Sequence, residues 1–368
     1  VAQVPNFFIG LFLPNFGAVQ PHMHLLPALQ EIFEPLGITT RFPLLQQLEQ
    51  RGNQPINTRY LTSAAIDFFL KKTNWNIVSL DRLDYSGNLN RLDYLIREHD
   101  LETRKRVKII FHDLKAEITQ LTSNMIGPVD YILHMAASSH VDRSIEDPMS
   151  FVMDNVVGTT NLLNYARNLR NLERFVYFST DEVFGPAPNG VYYKEYDRYN
   201  STNPYSAAKA GGEELAVAFE NTYKLPIYVT HTMNVFGERQ HPEKYIPMCI
   251  KKVRDGETIT VHSDASRTIP GSRHYIHAAD VADAMMFLLD LNDFKYPLDF
   301  GGAKCPKFNI VGKEEINNLQ LAQIIADTQS KPLNYEMVDF HSSRPGHDLR
   351  YSLSGEFMKS LGWEPRIA

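Results

Sequence analysis

From about residue 62 to residue 233 the chain keeps returning to one texture, a short apolar run followed by a turn and a helical stretch. The runs fall at 77–80, 107–111, 129–134, 174–179 and 226–230, with helical patterns over 63–72, 154–170 and 204–223 among them. Strands buried on both faces read as unbroken Val, Ile and Leu, not as an alternation. Parallel neighbours need a crossover connection about as long as these helices. The pattern therefore predicts an α/β fold with a doubly wound parallel (Rossmann-like) sheet.

The flanks differ. Residues 1–60 are irregular, with scattered prolines and one helical pattern near 44–50, and are read as an atypical N-terminal segment. Within them the apolar stretch 7–12 lies between Pro5 and Pro14 without a basic flank, too short to span a bilayer and unlike a signal peptide. The chain starts with Val1, so its true start is expected to be missing or processed. Residues 61–233 form the predicted sheet domain. From residue 234 the pattern loosens around Pro242, Pro247 and Pro270, which predicts a smaller C-terminal lobe over 234–368. A net charge of -6 leaves no basic footprint for nucleic acid. Cys249 and Cys305 form no C-x-x-C, so neither a disulfide framework nor a metal site is expected, and a reducing, cytoplasmic setting follows.

The strongest chemical signal is Tyr205-Ser206-Ala207-Ala208-Lys209. Asn203 and Pro204 before it make a good helix start. The phenol and the ammonium then share one helical face, and a nearby lysine favours the phenolate. Alone the pair is weak, since amphipathic surface helices often carry one. The second signal is Phe178-Ser179-Thr180-Asp181-Glu182-Val183-Phe184-Gly185, at the end of an apolar strand. Ligands of doubly wound sheets bind outside the carboxyl ends of strands. A hydroxyl and two carboxylates would thus meet Tyr205 in one crevice.

Thr180, Asp181, Glu182, Tyr205 and Lys209 together resemble the extended short-chain dehydrogenase/reductase family, and the acid pair resembles its nucleotide-sugar 4,6-dehydratase branch. Further stretches are similar: Ala136-Ala137-Ser138-Ser139-His140-Val141-Asp142-Arg143-Ser144-Ile145, with Ser138 where glutamate is usual; Asn155 with Gly158-Thr159; and Pro242-Glu243-Lys244-Tyr245-Ile246-Pro247. Arg344-Pro345-Gly346-His347-Asp348-Leu349-Arg350-Tyr351 is most like dTDP-glucose 4,6-dehydratases. The resemblance covers roughly residues 63–365.

It implies a lyase that binds NAD and a nucleotide-diphosphate hexose as a homodimer, with helices near 154–170 and 204–223 at the dimer contact and no nucleic-acid or membrane partner. Catalytic roles fall on Tyr205 (O4 proton), Lys209, Thr180 (O4 contact), Glu182 (C5 proton), Asp181 (C6 hydroxyl) and Asn155 (a relay water). Cofactor contacts fall on Asp81, Arg82, Asp113, Leu114, Ala136, Ala137, Tyr205 and Lys209. Asp81 suits an adenosine ribose and favours NAD, while Arg82 could tolerate a 2′-phosphate. Substrate contacts fall on His140, Asn234, Lys244, Arg273, Asn309 and His347.

One part is missing. Counting back from the helix at 63–72, the family's G-x-x-G-x-x-G should fall near 56, 59 and 62, where the chain has Ile56, Arg59 and Thr62. Such glycines let backbone amides approach a pyrophosphate. Residues 50–55 do not read as a first strand, and Gly10 and Gly17, separated by Pro14, offer no substitute. The N-terminus reads as replaced or misjoined, and the chain stops just after Gly362-Trp363-Glu364-Pro365, where relatives continue into a helix. A UDP-sugar dehydratase or epimerase, and a homologue unable to hold NAD, are the competing readings.

Overall fold

The computed structural model describes residues 6–11, 59–82, 97–238, 240, 242, 244–292, 294, 305–340 and 348–367. The strands are β1 (Asn6–Leu11), β2 (Asn76–Asp81), β3 (Val107–Phe111), β4 (Tyr131–His134), β5 (Arg174–Thr180), β6 (Ile227–Thr232), β7 (Asn234–Phe236), β8 (Ile259–Ser263), β9 (Ser272–His277), β10 (Lys307–Ile310), β11 (Glu315–Asn317) and β12 (Tyr335–Asp339). The helices are α1 (Arg59–Lys72), α2 (Leu101–Lys105), α3 (Gln120–Ile126), α4 (Val141–Glu146), α5 (Pro148–Val152), α6 (Gly158–Ala166), α7 (Pro204–Tyr223), α8 (Tyr245–Asp255), α9 (Ala278–Asp290), α10 (Asn318–Thr328) and α11 (Glu356–Ser360).

Seven strands form one sheet in the order β10-β6-β5-β4-β1-β2-β3. Every pairing in it is parallel. Chain order reverses between β1 and β4, which puts the ligand crevice over their carboxyl ends. Alternate residues of each strand serve opposite faces. Ile77, Leu133 and Val176 pack with Ile66 and Phe69 of α1 and Val281, Met285 and Leu288 of α9. Val78, Ile132, Phe175 and Tyr177 pack with Leu162 and Leu163 of α6 and Ala216 of α7. Each such aliphatic or aromatic side chain contributes about 1.5–3 kcal/mol when fully buried.

The doubly wound sheet is as expected, but one of its interior strands, β1, is not. The sequence reading set residues 1–60 apart, whereas Asn6–Leu11 pairs with β2 on one side and β4 on the other, Phe8 lying opposite both Val78 and Ile132. Those partners lie far along the chain, so nothing local to the proline-bracketed run reveals that it is a strand. Helix α1 also begins before residue 63, so Arg59 and Thr62 are helical and not part of a loop. The helical pattern near 44–50 and the expected glycine position 56 lie outside the described residues.

After residue 234 the chain builds two small sheets, β11-β9-β7 and β12-β8. Cys249 and Val253 of α8, Ile259 and Val261 of β8, and Ala322 and Ala326 of α10 share one apolar cluster there. The same segment also returns α9 and β10 to the large sheet, so the lobe and the sheet domain are interleaved in sequence.

Candidate active site

β5 delivers Thr180 to the crevice and stops, because Thr180 caps a short 3-10 turn over Asp181–Phe184. Its Oγ1 accepts from the Glu182 amide at 3.4 Å and donates to Asp181 Oδ1 at 3.0 Å. Facing this turn, α7 begins with a capping box between Asn203 and Ser206 and with Pro204 in its first turn. That start fixes Tyr205 against β5, and its hydroxyl meets the Thr180 side chain. Asn203 Nδ2 donates to Glu182 Oε2 at 3.2 Å. Tyr205, Thr180, Asp181 and Glu182 therefore converge, as the sequence reading required.

Burial raises the Asp181 carboxyl, partly offset by Arg273. Burial and the Asp181 charge push Glu182 up to about 7. Asn203, Arg273 and Lys244 lower it by smaller amounts. Burial, then Glu182, raise the Tyr205 phenol. This is opposite to the expected help from Lys209, and the reason is geometric. The Lys209 ammonium donates to the Phe178 carbonyl and lies 4.4 Å from the Tyr177 ring centroid. Its charge is turned to β5, and burial lowers Lys209 to about 7.

Close packing behind Tyr205 depends on Gly212. A Cβ there would meet the Asn155 carbonyl oxygen at 2.4 Å and the Tyr177 hydroxyl at 2.5 Å. This approach brings the π-turn Met153–Val157 against α7. Asn155 itself clamps Ser138, accepting from its amide at 2.7 Å and donating to its carbonyl at 3.0 Å. Its amide thus holds the loop after β4, where the sequence reading had it order a water.

On the cofactor side, Asp81 ends β2 and is buried. Arg82 grips Asp154 with two bonds, Nη1 at 2.8 Å and Nη2 at 3.1 Å, and lies 3.6 Å from Asp113. Such a fork is the strong form of this contact. The guanidinium is therefore engaged by the carboxylates of Asp154 and Asp113. Ser138 Oγ donates to Asp154 Oδ2 at 2.6 Å, so Asp154 brings a carboxylate to the place where the resemblance led one to expect a glutamate. Leu114 is buried, Asp113 caps the turn after β3 through the Lys115 amide, and Ala136 and Ala137 follow β4.

The substrate-side expectations divide. Arg273 Nη1 donates to the Leu349 carbonyl at 2.5 Å and its guanidinium lies 4.5 Å from the Tyr351 ring centroid. Lys244 precedes α8, His140 stands at the N-cap position of α4 without a side-chain cap bond, and Asn234 is exposed at the start of β7. Asn309 does not fit its expected role. It is 0% exposed, and its amide bonds to His231 and to the carbonyls of Tyr193 and Ser354. A buried, engaged amide leaves nothing for a nucleotide. His347 lies outside the described residues.

Asn203 and Tyr351 were missed as site residues. Asn203 was legible only as a helix cap, and Tyr351 only as the end of a motif, though its phenol feels Glu182. Ser139 Oγ, Ser179 Oγ and Asp181 Oδ2 are buried without hydrogen-bond partners among the described residues. Each such group costs about 1–3 kcal/mol, and these three lie after β4 and at the carboxyl end of β5.

A switch-point crevice with Tyr205 and Lys209 on α7 and Thr180-Asp181-Glu182 after β5 defines a short-chain dehydrogenase/reductase of the nucleotide-sugar type. The chain belongs to the GDP-mannose 4,6 dehydratase family, whose model matches residues 62–368. It is 36% identical to a dTDP-glucose 4,6-dehydratase of Streptomyces niveus, over 79% of this chain and 80% of that protein. It is 33% identical to the low-salt glycan biosynthesis protein Agl12 of Haloferax volcanii, over 83% and 90%. Among solved structures, the dTDP-glucose 4,6-dehydratase DesIV of Streptomyces venezuelae, with NAD bound, superimposes with a TM-score of 0.70 at 29% identity, covering 84% of this chain and 90% of that one.

Proposed function

We propose that this chain converts dTDP-glucose to dTDP-4-keto-6-deoxyglucose, using NAD. The observation that carries this reading is the convergence of one phenol, one hydroxyl and two unequal carboxyls. Eliminating water across C5 and C6 is slow because the C5 hydrogen is not acidic, and a ketone at C4 makes it so. NAD supplies that oxidation by accepting a hydride and returning it. Asp81 and Asp113 suit its adenosine end, Ala136 and Ala137 leave room beside β4, and Tyr205 and Lys209 suit its nicotinamide end. The unpartnered Ser139 and Ser179 hydroxyls fit a polar ligand lying across β4 and β5.

Tyr205 takes the O4 proton while Thr180 holds O4. Glu182, at about 7, is half ionised near neutrality and takes the C5 proton. Asp181 delivers a proton to the departing C6 hydroxyl. Its raised affinity for protons and its unpartnered Oδ2 suit a carboxylic acid facing substrate. Two carboxyls in different environments divide the acid and base work. Arg273 and Lys244, whose charges are felt at Glu182, supply charge for a diphosphate.

Two coarser features have support. Among the described residues no helix is long and apolar enough to cross a membrane. Ile145, Met149, Val152 and Met153 are exposed apolar side chains on α4, α5 and the π-turn beside α7, the surface a homodimer would cover. Light scattering of the purified chain measures that assembly.

The test of function incubates the chain with NAD and dTDP-glucose and follows the alkaline chromophore of the 4-keto-6-deoxy product. An epimerised sugar without the chromophore would overturn the dehydratase reading. A chain that neither retains nor binds NAD would overturn catalysis altogether.

A further inference from the structure

In the large sheet β1 lies between β4 and β2. A bridge of side chains joins the segments that follow those two flanking strands, and none of the proposed steps uses it. Arg82 comes directly after β2 and donates to Asp154 Oδ1 at 2.8 Å and to Oδ2 at 3.1 Å. Ser138, in the loop after β4, donates to the same Oδ2 at 2.6 Å. Asp154 itself stands on the π-turn Met153–Val157, so three segments remote in sequence meet on one carboxylate. The turn after β3 joins them through longer contacts. Lys115 Nζ lies 3.9 Å from Asp154 Oδ1 and 3.4 Å from Asp113 Oδ2, and Arg82 lies 3.6 Å from Asp113.

Asp154 and Ser138 are both buried. A buried charge is tolerated when it is paired and hydrogen-bonded, and here two cations offset two carboxylates. The two-pronged grip of Arg82 fixes the plane of the carboxylate as well as its distance. The next residue of the π-turn strengthens the hold, because Asn155 clamps the amide and carbonyl of the same Ser138. Thr159 Oγ1 then donates to the Asn155 carbonyl at 2.6 Å and meets His134 Nε2 of β4 at 2.8 Å. The π-turn is thus tied to β4 itself as well as to the loop after it. Burial raises the Asp154 carboxyl, while Arg82, Ser138 and Lys115 oppose that rise.

The segments gathered in this way carry Asp81, Asp113, Ala136 and Ala137, the residues suited to NAD. Ligands of open α/β sheets lie outside the carboxyl ends of the strands at the switch point, here between β1 and β4. We propose that Asp154 is a positioning residue for NAD: by binding Arg82 and Ser138 together it holds the segments after β2, β3 and β4 in place for the adenosine half of the cofactor. The resemblance has a glutamate at position 138, and in this chain the carboxylate comes from the π-turn instead. A site held in shape before its ligand arrives loses less freedom on binding, so the bridge acts on affinity. The inference rests on the reading that NAD lies over these strand ends.

The test is calorimetric titration of the full chain with three probes: NAD, ADP-ribose (which lacks the nicotinamide) and dTDP for the sugar-nucleotide side. Asp154→Asn keeps the size of the side chain and removes its charge. Its dissociation constants for NAD and ADP-ribose are expected to rise about tenfold, with that for dTDP within about twofold. Asp154→Ser combined with Ser138→Glu returns a carboxylate to Arg82 from the loop after β4, and NAD affinity is expected to recover to within about threefold of the wild type. In the free protein, amides of residues 112–116 and 136–139 should exchange with solvent faster in Asp154→Asn and slow again in the double variant. Unmoved NAD and ADP-ribose constants in folded Asp154→Asn overturn the proposal. So does an equal loss for dTDP, the mark of general loosening, or a double variant without recovery. Should Asp154→Asn fail to fold, Ser138→Ala removes one bond from the same carboxylate and should weaken NAD and ADP-ribose about threefold, no weakening being the overturning result. A wild type that binds dTDP but neither NAD nor ADP-ribose overturns the NAD reading and this proposal together, whereas a wild type that binds all three beside unmoved variants overturns this proposal alone.

Discussion

Replacing Glu182 with glutamine should stabilise the protein at alkaline pH while removing its activity. Glu182 rises from the ordinary 4.5 to about 7 because the fold buries it beside Asp181. A carboxyl with a raised folded value binds an extra proton in the folded state between those limits. Stability is therefore greatest at the acid end of that window and falls as pH rises through it. At about 1.4 kcal/mol per pH unit, ionised Glu182 costs about 3 kcal/mol once the pH is above both values. Glutamine keeps an oxygen for the Asn203 Nδ2 bond, now 3.2 Å long, and carries no charge. Urea unfolding of both proteins at about pH 8 should favour Glu182→Gln by up to about 3 kcal/mol, with the two converging near pH 4.5. A variant that is less stable at both pH values, or offset equally at both, would refute the claim that Glu182 is a strained base. The same ionisation should give wild-type turnover an acid limb near pH 7, because only the unprotonated carboxyl removes the C5 proton.

Three other outcomes follow from the geometry. Tyr205→Phe should lower kcat about 10²–10⁴-fold in the 4-keto product assay with little change in unfolding midpoint, since only the hydroxyl is lost. Gly212→Ala should destabilise by about 1–3 kcal/mol in urea, because its Cβ would fall 2.4 Å from the Asn155 carbonyl oxygen. Asn309→Ala should cost at least about 2 kcal/mol by stranding His231 Nδ1 and two carbonyls. Its remaining activity should keep the wild-type KM, and a raised KM without lost stability would show Asn309 at the nucleotide after all.

What could be read from residue order alone was whatever depends on near neighbours. Runs such as 107–111 and 174–179 announce buried strands because each is locally apolar, and Asn203-Pro204 announces a helix start because capping is a matter of three residues. Spacing put Tyr205 and Lys209 on one face and put Thr180-Asp181-Glu182 at a strand end, and the family resemblance that these residues carry pointed to the reaction. Contacts between distant segments were not legible. β1 is a strand only because β2 and β4 hydrogen-bond to it from either side. Arg82 is engaged because Asp154 reaches it from the π-turn, and Lys209 is turned to β5 by the Phe178 carbonyl. Asn309, a plausible nucleotide contact in its motif, is closed into the interior by β6 and the 193 and 354 carbonyls. Local sequence sets propensity, periodicity and caps. Pairing, burial and the charges that burial perturbs exist only when remote parts of the chain meet, and those contacts decided the protonation and reach of every group in the site.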